Sequence, residues 1–315
     1  MAHWSNIDIT TCDRQLECPL FSVIPGEIRN EIFALALIQY EDDKSAYPEE
    51  SYWYRPGFRG PRRSSSALLR TCKLAYEEGQ TVFLRELEFA FWFDRGPEGR
   101  TGNESCERFF NRLTIRQSCQ LRRVRLFTQM FWLEQGHNIQ RIFMQPRFRP
   151  ETLTVTVRYS DWWHWEEDKP LRMAEDWLRG FRGPAGLREL RVEYETLARK
   201  KDEMMKIVKR NKGWKLAVGK KGVGGVETEG GYLSAVGTKL GEWRWRGTSK
   251  LGGREWAHHG EGDTVEYVVV TDTWRFVEGI MPKEDEARRD ERRVLFPLLP
   301  HRLYGNGLQP PLFLM

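Results

Sequence analysis

The octamer DWWHWEED at 161–168 gathers three indoles, one imidazole and four carboxylates, and it is the most unusual stretch of the chain. Trp162, Trp163 and Trp165 offer large contact areas with one hydrogen-bond donor each, the chemistry of a recognition surface. Their acidic neighbours suit a cationic partner, through charge and through cation–π attraction. An acid/base pair drawn from Asp161, Glu166 and Glu167 would need one carboxyl raised by burial. A contiguous run of charge is ordinarily solvated, so no catalytic role is assigned. In a chain with 13 Trp, indoles tucked under a sheet edge are the competing use.

Histidine and cysteine close off several chemistries. The five cysteines (Cys12, Cys18, Cys72, Cys106, Cys119) are odd in number and form no C-x-x-C, so neither a disulfide framework nor a zinc ribbon is indicated. None of the six histidines belongs to an H-E-x-x-H. A hydrolase would need His164 or His258 beside a carboxylate or thiol in a cleft, and no local signature marks one. The glycine-rich stretch at 219–231 contains no phosphate-cradling G-x-x-x-x-G-K-[ST], and Gly222-Val-Gly-Gly lacks the third glycine of a dinucleotide fingerprint. The expectation is a non-enzymatic protein with reduced thiols, without cofactor or metal.

Charge offers one further candidate. Ten basic residues against Asp202 and Glu203 give the segment 199–221 a local charge of +8, within a chain of net +5. Such a patch could track nucleic-acid phosphates or serve as a nuclear address. Met204, Met205 and Val208 also make it amphipathic, so its lysines could be the wet face of a helix. No apolar run approaches the ~18 residues of a membrane span, and the opening MAHWSNIDIT lacks a basic-then-apolar signal. No membrane partner is expected, and the location is cytoplasmic or nuclear.

The elements that must position these residues follow from periodicity. Pro25 suits a first helical turn, with Glu27 against the positive end of the helix dipole. Ile28, Ile32, Leu35 and Ala36 then recur on one face. Residues 41–63 hold three prolines and turn from acidic to basic, the mark of an exposed loop. Ser64–Ser66 offer a cap for a helix carrying Leu68, Cys72, Ala75, Tyr76, Gly79 and Phe83, which leads into the alternating strand LEFAFWF. A helix over 104–120, strands at LRRVRLF, ETLTVTVRYSD and GLRELRVEY, and helices over 171–181 and 197–208 follow. This succession predicts a mixed α/β fold with a partly parallel sheet. A buried strand centred on 268–270, a charged helix or linker in PKEDEARRDERR and an apolar, Pro-rich tail complete the chain.

IPGEIRNEIFALAL, followed by ALLRTCKLAYEEGQTVFLRELEFAF, resembles an uncharacterised fungal protein family whose opening is similar to a divergent F-box. An F-box is a small helical module that docks on a Skp-type adaptor of cullin ubiquitin ligases. The matching positions are Ile24, Pro25, Glu27, Ile28 and Ile32, then Leu68, Leu69, Cys72 and Tyr76; residues 38–66 intervene where an F-box is normally continuous. The resemblance implies that Pro25, Ile28, Ile32 and Leu35 face the adaptor, with Trp162, Trp163 and Trp165 as a rim for an unknown client protein. The pattern L-x-x-V/L-x-L/V at 121–126 and 187–192 resembles an irregular leucine-rich repeat, at spacings longer than such repeats take. The expected organisation is an F-box-like helical region with its loop and aromatic strand (1–95) packed on a leucine-rich-repeat-like α/β body (96–210). A Gly/Trp-rich insertion (211–262) and a closing strand, charged segment and tail (263–315) follow. The alternative is a nucleic-acid-associated protein using 199–221.

Overall fold

Two alternating patterns decide the sheet. In Thr152–Val157, Leu153, Val155 and Val157 join the main apolar core, and in Glu189–Leu197 so do Leu190, Val192 and Tyr194. Side chains along a strand alternate faces, so Thr154, Thr156, Glu193 and Glu195 share the opposite side. The computed structural model describes residues 12–219, 222–223, 226–227, 231–260 and 262–290, and is mixed α/β, built on a nine-stranded sheet. Glu88–Phe93, Arg123–Thr128, Thr152–Val157 and Glu189–Leu197 lie side by side and parallel. Thr264–Val277 then runs antiparallel to Glu189–Leu197. Its other edge is shared between Gly241–Thr248 and Tyr232–Ser234. Leu216–Val218 and Arg182–Gly183 end the sheet. The leucine-spaced strands belong to the parallel half; the antiparallel half departs from a stack of repeats.

Helices cover the apolar face. Asn103–Arg112 contributes Cys106 and Phe110, His137–Phe143 contributes Ile139 and Ile142, and Lys201–Lys212 contributes Met204, Ile207 and Val208. The expected helix over 104–120 is two helices, because Thr114 and Gln117 form a capping box that starts Ile115–Gln120 afresh. The expected helix over 171–181 shrinks to Asp176–Arg179. Upstream of it, the Leu171 amide donates to Glu203 and the Ala174 amide to Glu134, so side chains satisfy backbone that a helix would otherwise engage.

A separate cluster of Phe33, Leu37, Leu69, Ala75 and Tyr76 joins Gly26–Ala36 to Lys73–Glu86. Arg29 spans the pair with a two-pronged contact to Glu78, 2.7 Å at each oxygen. The cap of Lys73–Glu86 is Cys72, whose sulfur accepts from the Ala75 amide, rather than the serines at 64–66.

The segment expected to be an exposed loop at 41–63 is a strap laid on the polar face of the sheet. Its ends are tied by the antiparallel ladder of Gln39–Glu41 with Arg62–Ser64. Arg55 and Phe58 are buried. Gly224, Gly225 and Gly230 of the glycine-rich stretch, and the Pro-rich tail, lie outside the described residues.

Candidate interaction site

The helix Gly26–Ala36 has two apolar sides. At 100° per residue, Phe33 and Leu37 fall on one side, while Ile28, Ile32 and Leu35 cluster within about 60° on the other. Phe33 and Leu37 are fully buried against the neighbouring helix; Ile28 and Leu35 are 47% and 73% exposed, and Ile32 is partly exposed. Pro25, expected in the first helical turn, immediately precedes it instead as the N-cap residue, with φ −59° and ψ 153°. Val23 and Ile38, flanking the helix, are exposed as well. Glu27 and Glu31 stand exposed beside this face, while Arg29 is turned inward to Glu78. The outward side is thus apolar with an acidic border.

The tryptophan-rich octamer is placed otherwise than expected. Trp162 and Trp165 are 2% and 3% exposed, so they form no rim. Arg158 and Asp161 close a short turn through a buried two-pronged ion pair, at 2.8 and 2.9 Å. His164 and Asp168 take left-handed backbone, φ 53° each, which folds the chain back on itself. Trp162 consequently reaches the Glu195 carbonyl with its Nε1 (2.8 Å), and Trp165 packs among Tyr52, Tyr159 and Trp256. Trp163 alone of the three is part-exposed, and its Nε1 donates to Glu134. The competing use of these indoles, under the sheet edge, holds for two of the three.

Beneath this corner lies a polar relay that sequence reasoning missed. Tyr159 Oη is 2.7 Å from His258 Nε2 and 3.1 Å from His259 Nε2. His259 Nδ1 faces the Ser249 carbonyl, which can only accept. The neutral His259 ring therefore carries its proton on Nδ1, and its Nε2 accepts the tyrosine proton. Tyr159 Oη is then free to accept from His258 Nε2. Burial lowers both imidazoles from their ordinary value, with mutual repulsion adding to the effect on His258. Burial likewise raises the Tyr159 phenol. No signal along the chain announces this meeting, because Tyr159 opens a short turn just after a strand and the histidines sit in another turn about a hundred residues away.

The histidines that a hydrolase would need are placed as follows. His258 meets a phenol and a second imidazole rather than a thiol or carboxylate, and His164 is a surface group 3.8 Å from Glu167. Cys106 is buried and its thiol is raised by desolvation. Among the described residues, no cluster of three or more His, Cys, Asp or Glu could hold a metal ion.

The basic segment is largely consumed by the fold. Arg199 and Lys200 pair with Asp168, Lys201 with Glu242, Arg210 with Glu175, Lys212 with Asp272 and Lys215 with Asp285. Lys206 and Lys209 are exposed, and Lys220 and Lys221 lie outside the described residues. Among the described residues, no helix is long and apolar enough to cross a membrane. Comparison with protein-family profiles, curated proteins and solved structures yielded no match to this chain.

Proposed function

We propose that this chain is a non-enzymatic interaction module that docks through the outward side of Gly26–Ala36, in the manner of an F-box-type adaptor on a Skp-type protein. The observation that carries the reading is the pair of opposed apolar sides: Phe33 and Leu37 already anchor the helix, while Ile28 and Leu35 remain in water. A helix needs one apolar stripe to pack on its own fold. A second stripe at i, i+4 and i+7 is the arrangement by which a helix enters a partner's groove. Glu27 and Glu31 suit a partner with cationic groups at the groove's border. The α/β body would hold the client, with part-exposed Trp163 the one member of the octamer's indoles in a position to touch it.

The test is titration of the purified chain with a Skp-type adaptor, beside an Ile28→Asp, Ile32→Asp double variant whose melting curve matches wild type. Wild type binds saturably, and the variant loses affinity on the order of 100-fold, since two buried aliphatic contacts are removed and two carboxylates desolvated. Wild type without measurable affinity for the adaptor overturns the adaptor reading.

A further inference from the structure

The strap places one charged side chain where the sheet already holds two of opposite sign. Glu193 and Glu195 project from the same side of Glu189–Leu197. Register sets Glu195 opposite Val269, and Val269 opposite Trp243. On the other flank, Phe127 stands beside Thr156, which pairs with Glu193. Arg55 Nη2 lies 3.4 Å from Glu193 and 3.5 Å from Glu195, with its guanidinium 5.8 Å from the Phe127 ring centre and 5.6 Å from that of Trp243. Two carboxylates between two aromatic rings are the elements by which proteins recognise a guanidinium.

The occupant fits this seat poorly. Arg158 shows what a well-held guanidinium looks like here: two bonds to Asp161 and two more to the Tyr52 and Arg95 carbonyls. Arg125 is equally well served, by Glu88, Thr156 and Glu193. Arg55 is 2% exposed, yet its Nε and Nη1 have no hydrogen-bond partner among the described residues. A buried donor without an acceptor costs about 1–3 kcal/mol. The strap backbone dictates this approach, because Arg55 opens a tight turn through Pro56 and Gly57, closed by the Phe58 amide on the Arg55 carbonyl. A guanidinium arriving on another chain is not bound to that angle.

We propose that Glu193, Glu195, Phe127 and Trp243 form an arginine-recognition site, occupied here by Arg55 in cis, which accepts an arginine side chain of a partner polypeptide when the strap lifts. Lifting withdraws Phe58 from Ala90, Trp92 and Phe127 and the Tyr52 carbonyl from Arg158, while the ladder of Gln39–Glu41 with Arg62–Ser64 keeps the base of the strap closed beside the two N-terminal helices. This site is independent of the outward helix side and stands or falls separately from it.

The probe is the strap's own turn as a capped peptide, Tyr-Arg-Pro-Gly-Phe, with a citrulline version that keeps the shape and removes the charge. It is titrated against the full chain, against Arg55→Ala, and against Arg55→Met, which retains the aliphatic stem should the alanine variant misfold. The emptied seat binds the arginine peptide at least about tenfold more tightly than the citrulline peptide, the worth of a charged hydrogen bond. In wild type, the same peptide speeds amide exchange across residues 47–60 and leaves the Gly26–Ala36 helix unaffected. A folded emptied variant that does not distinguish arginine from citrulline overturns the site. Unchanged strap exchange in wild type, at peptide concentrations that fill the variant, overturns the exchange of cis for trans arginine.

Discussion

Phe33 and Leu35 sit two residues apart on one helix, and truncating each to alanine has opposite consequences. Phe33 is fully buried, and an alanine methyl built at Gly79 would lie 2.9 Å from its ring. The ring therefore rests on the backbone of the neighbouring helix. The Arg29–Glu78 contact holds the two helices at that spacing, so the hole left by Phe33→Ala cannot close. Losses for such a change run about 3–5 kcal/mol, and a site that cannot collapse belongs in the middle or above, at about 4 kcal/mol. Leu35 is 73% exposed, and Leu35→Ala changes stability by no more than about 0.5 kcal/mol. The cluster around Phe33 is separate from the main core, so the loss is felt first as local opening. Native-state hydrogen exchange across 26–37 reads it directly: roughly 1,000-fold faster for Phe33→Ala and nearly unchanged for Leu35→Ala. Equal acceleration by both variants would mean that the outward side is covered by something, and would remove the premise of the docking surface.

Gly79→Ala destabilises by about 1–3 kcal/mol in thermal denaturation, although alanine is the better helix former; the new methyl would sit 2.4 Å from Leu69 Cδ2. Asp161→Asn leaves the buried Arg158 without its counter-charge and costs about 3–5 kcal/mol by urea titration. The His258–His259 pair makes stability fall as pH drops below the ordinary imidazole value of 6.5. Both folded-state values are depressed, so in that window the unfolded chain binds more protons and acid favours it. Asp168, Arg199 and Lys200 also face the pair, the carboxylate pulling the imidazoles up and the two cations pushing His258 down. Urea midpoints at about pH 7.5 and about pH 5.5 measure the slope, which flattens in His259→Gln if the pair is its source.

How much of this was legible in the sequence depends on whether the decisive contact is local. Leu153, Val155 and Val157, like Leu190, Val192 and Tyr194, announce their face by alternation, because a strand with one apolar side has a single register that buries it. The Gly26–Ala36 helix was equally legible in its spacing. Periodicity alone, however, could not tell that Phe33 and Leu37 take the core while Ile28 and Leu35 stay in water. Trp162 and Trp165 were ambiguous because an indole serves a rim or a core equally well, and the choice fell to the Arg158–Asp161 turn before Trp162 and to the left-handed residues His164 and Asp168 around Trp165. The strap was unreadable for a different reason: three prolines and mixed charge describe its backbone correctly, but burial of Arg55 depends on carboxylates presented by a strand far along the chain. The basic segment 199–221 likewise looked like a patch until Asp168, Glu175, Glu242, Asp272 and Asp285 arrived from five other places to pair with it.

The segment at 38–66 separates the two N-terminal helices in sequence but not in space. Gln39 pairs with Ser64, and the Ser64 hydroxyl donates to the Leu37 carbonyl, so the chain re-enters beside the point where it left. Phe33, Leu69 and Tyr76 can then meet as if the helices were consecutive. What the segment adds is a mechanical link. Glu88 accepts from Arg62 at the strap's base and from Arg125, and Arg125 in turn holds Glu193 in the seat of Arg55. One continuous run of charged contacts thus joins the foot of the strap to its tip, and the Gln39 side-chain amide donates to the Glu88 backbone carbonyl from the segment that follows Gly26–Ala36. A strap that lifts from Glu193 and Glu195 is therefore anchored at the same strand edge that abuts the helix pair. The two surfaces proposed here are neighbours through Glu88, yet filling the seat of Arg55 displaces the strap alone and leaves the Gly26–Ala36 helix in place, because Phe33 and Leu37 anchor it in a cluster of its own.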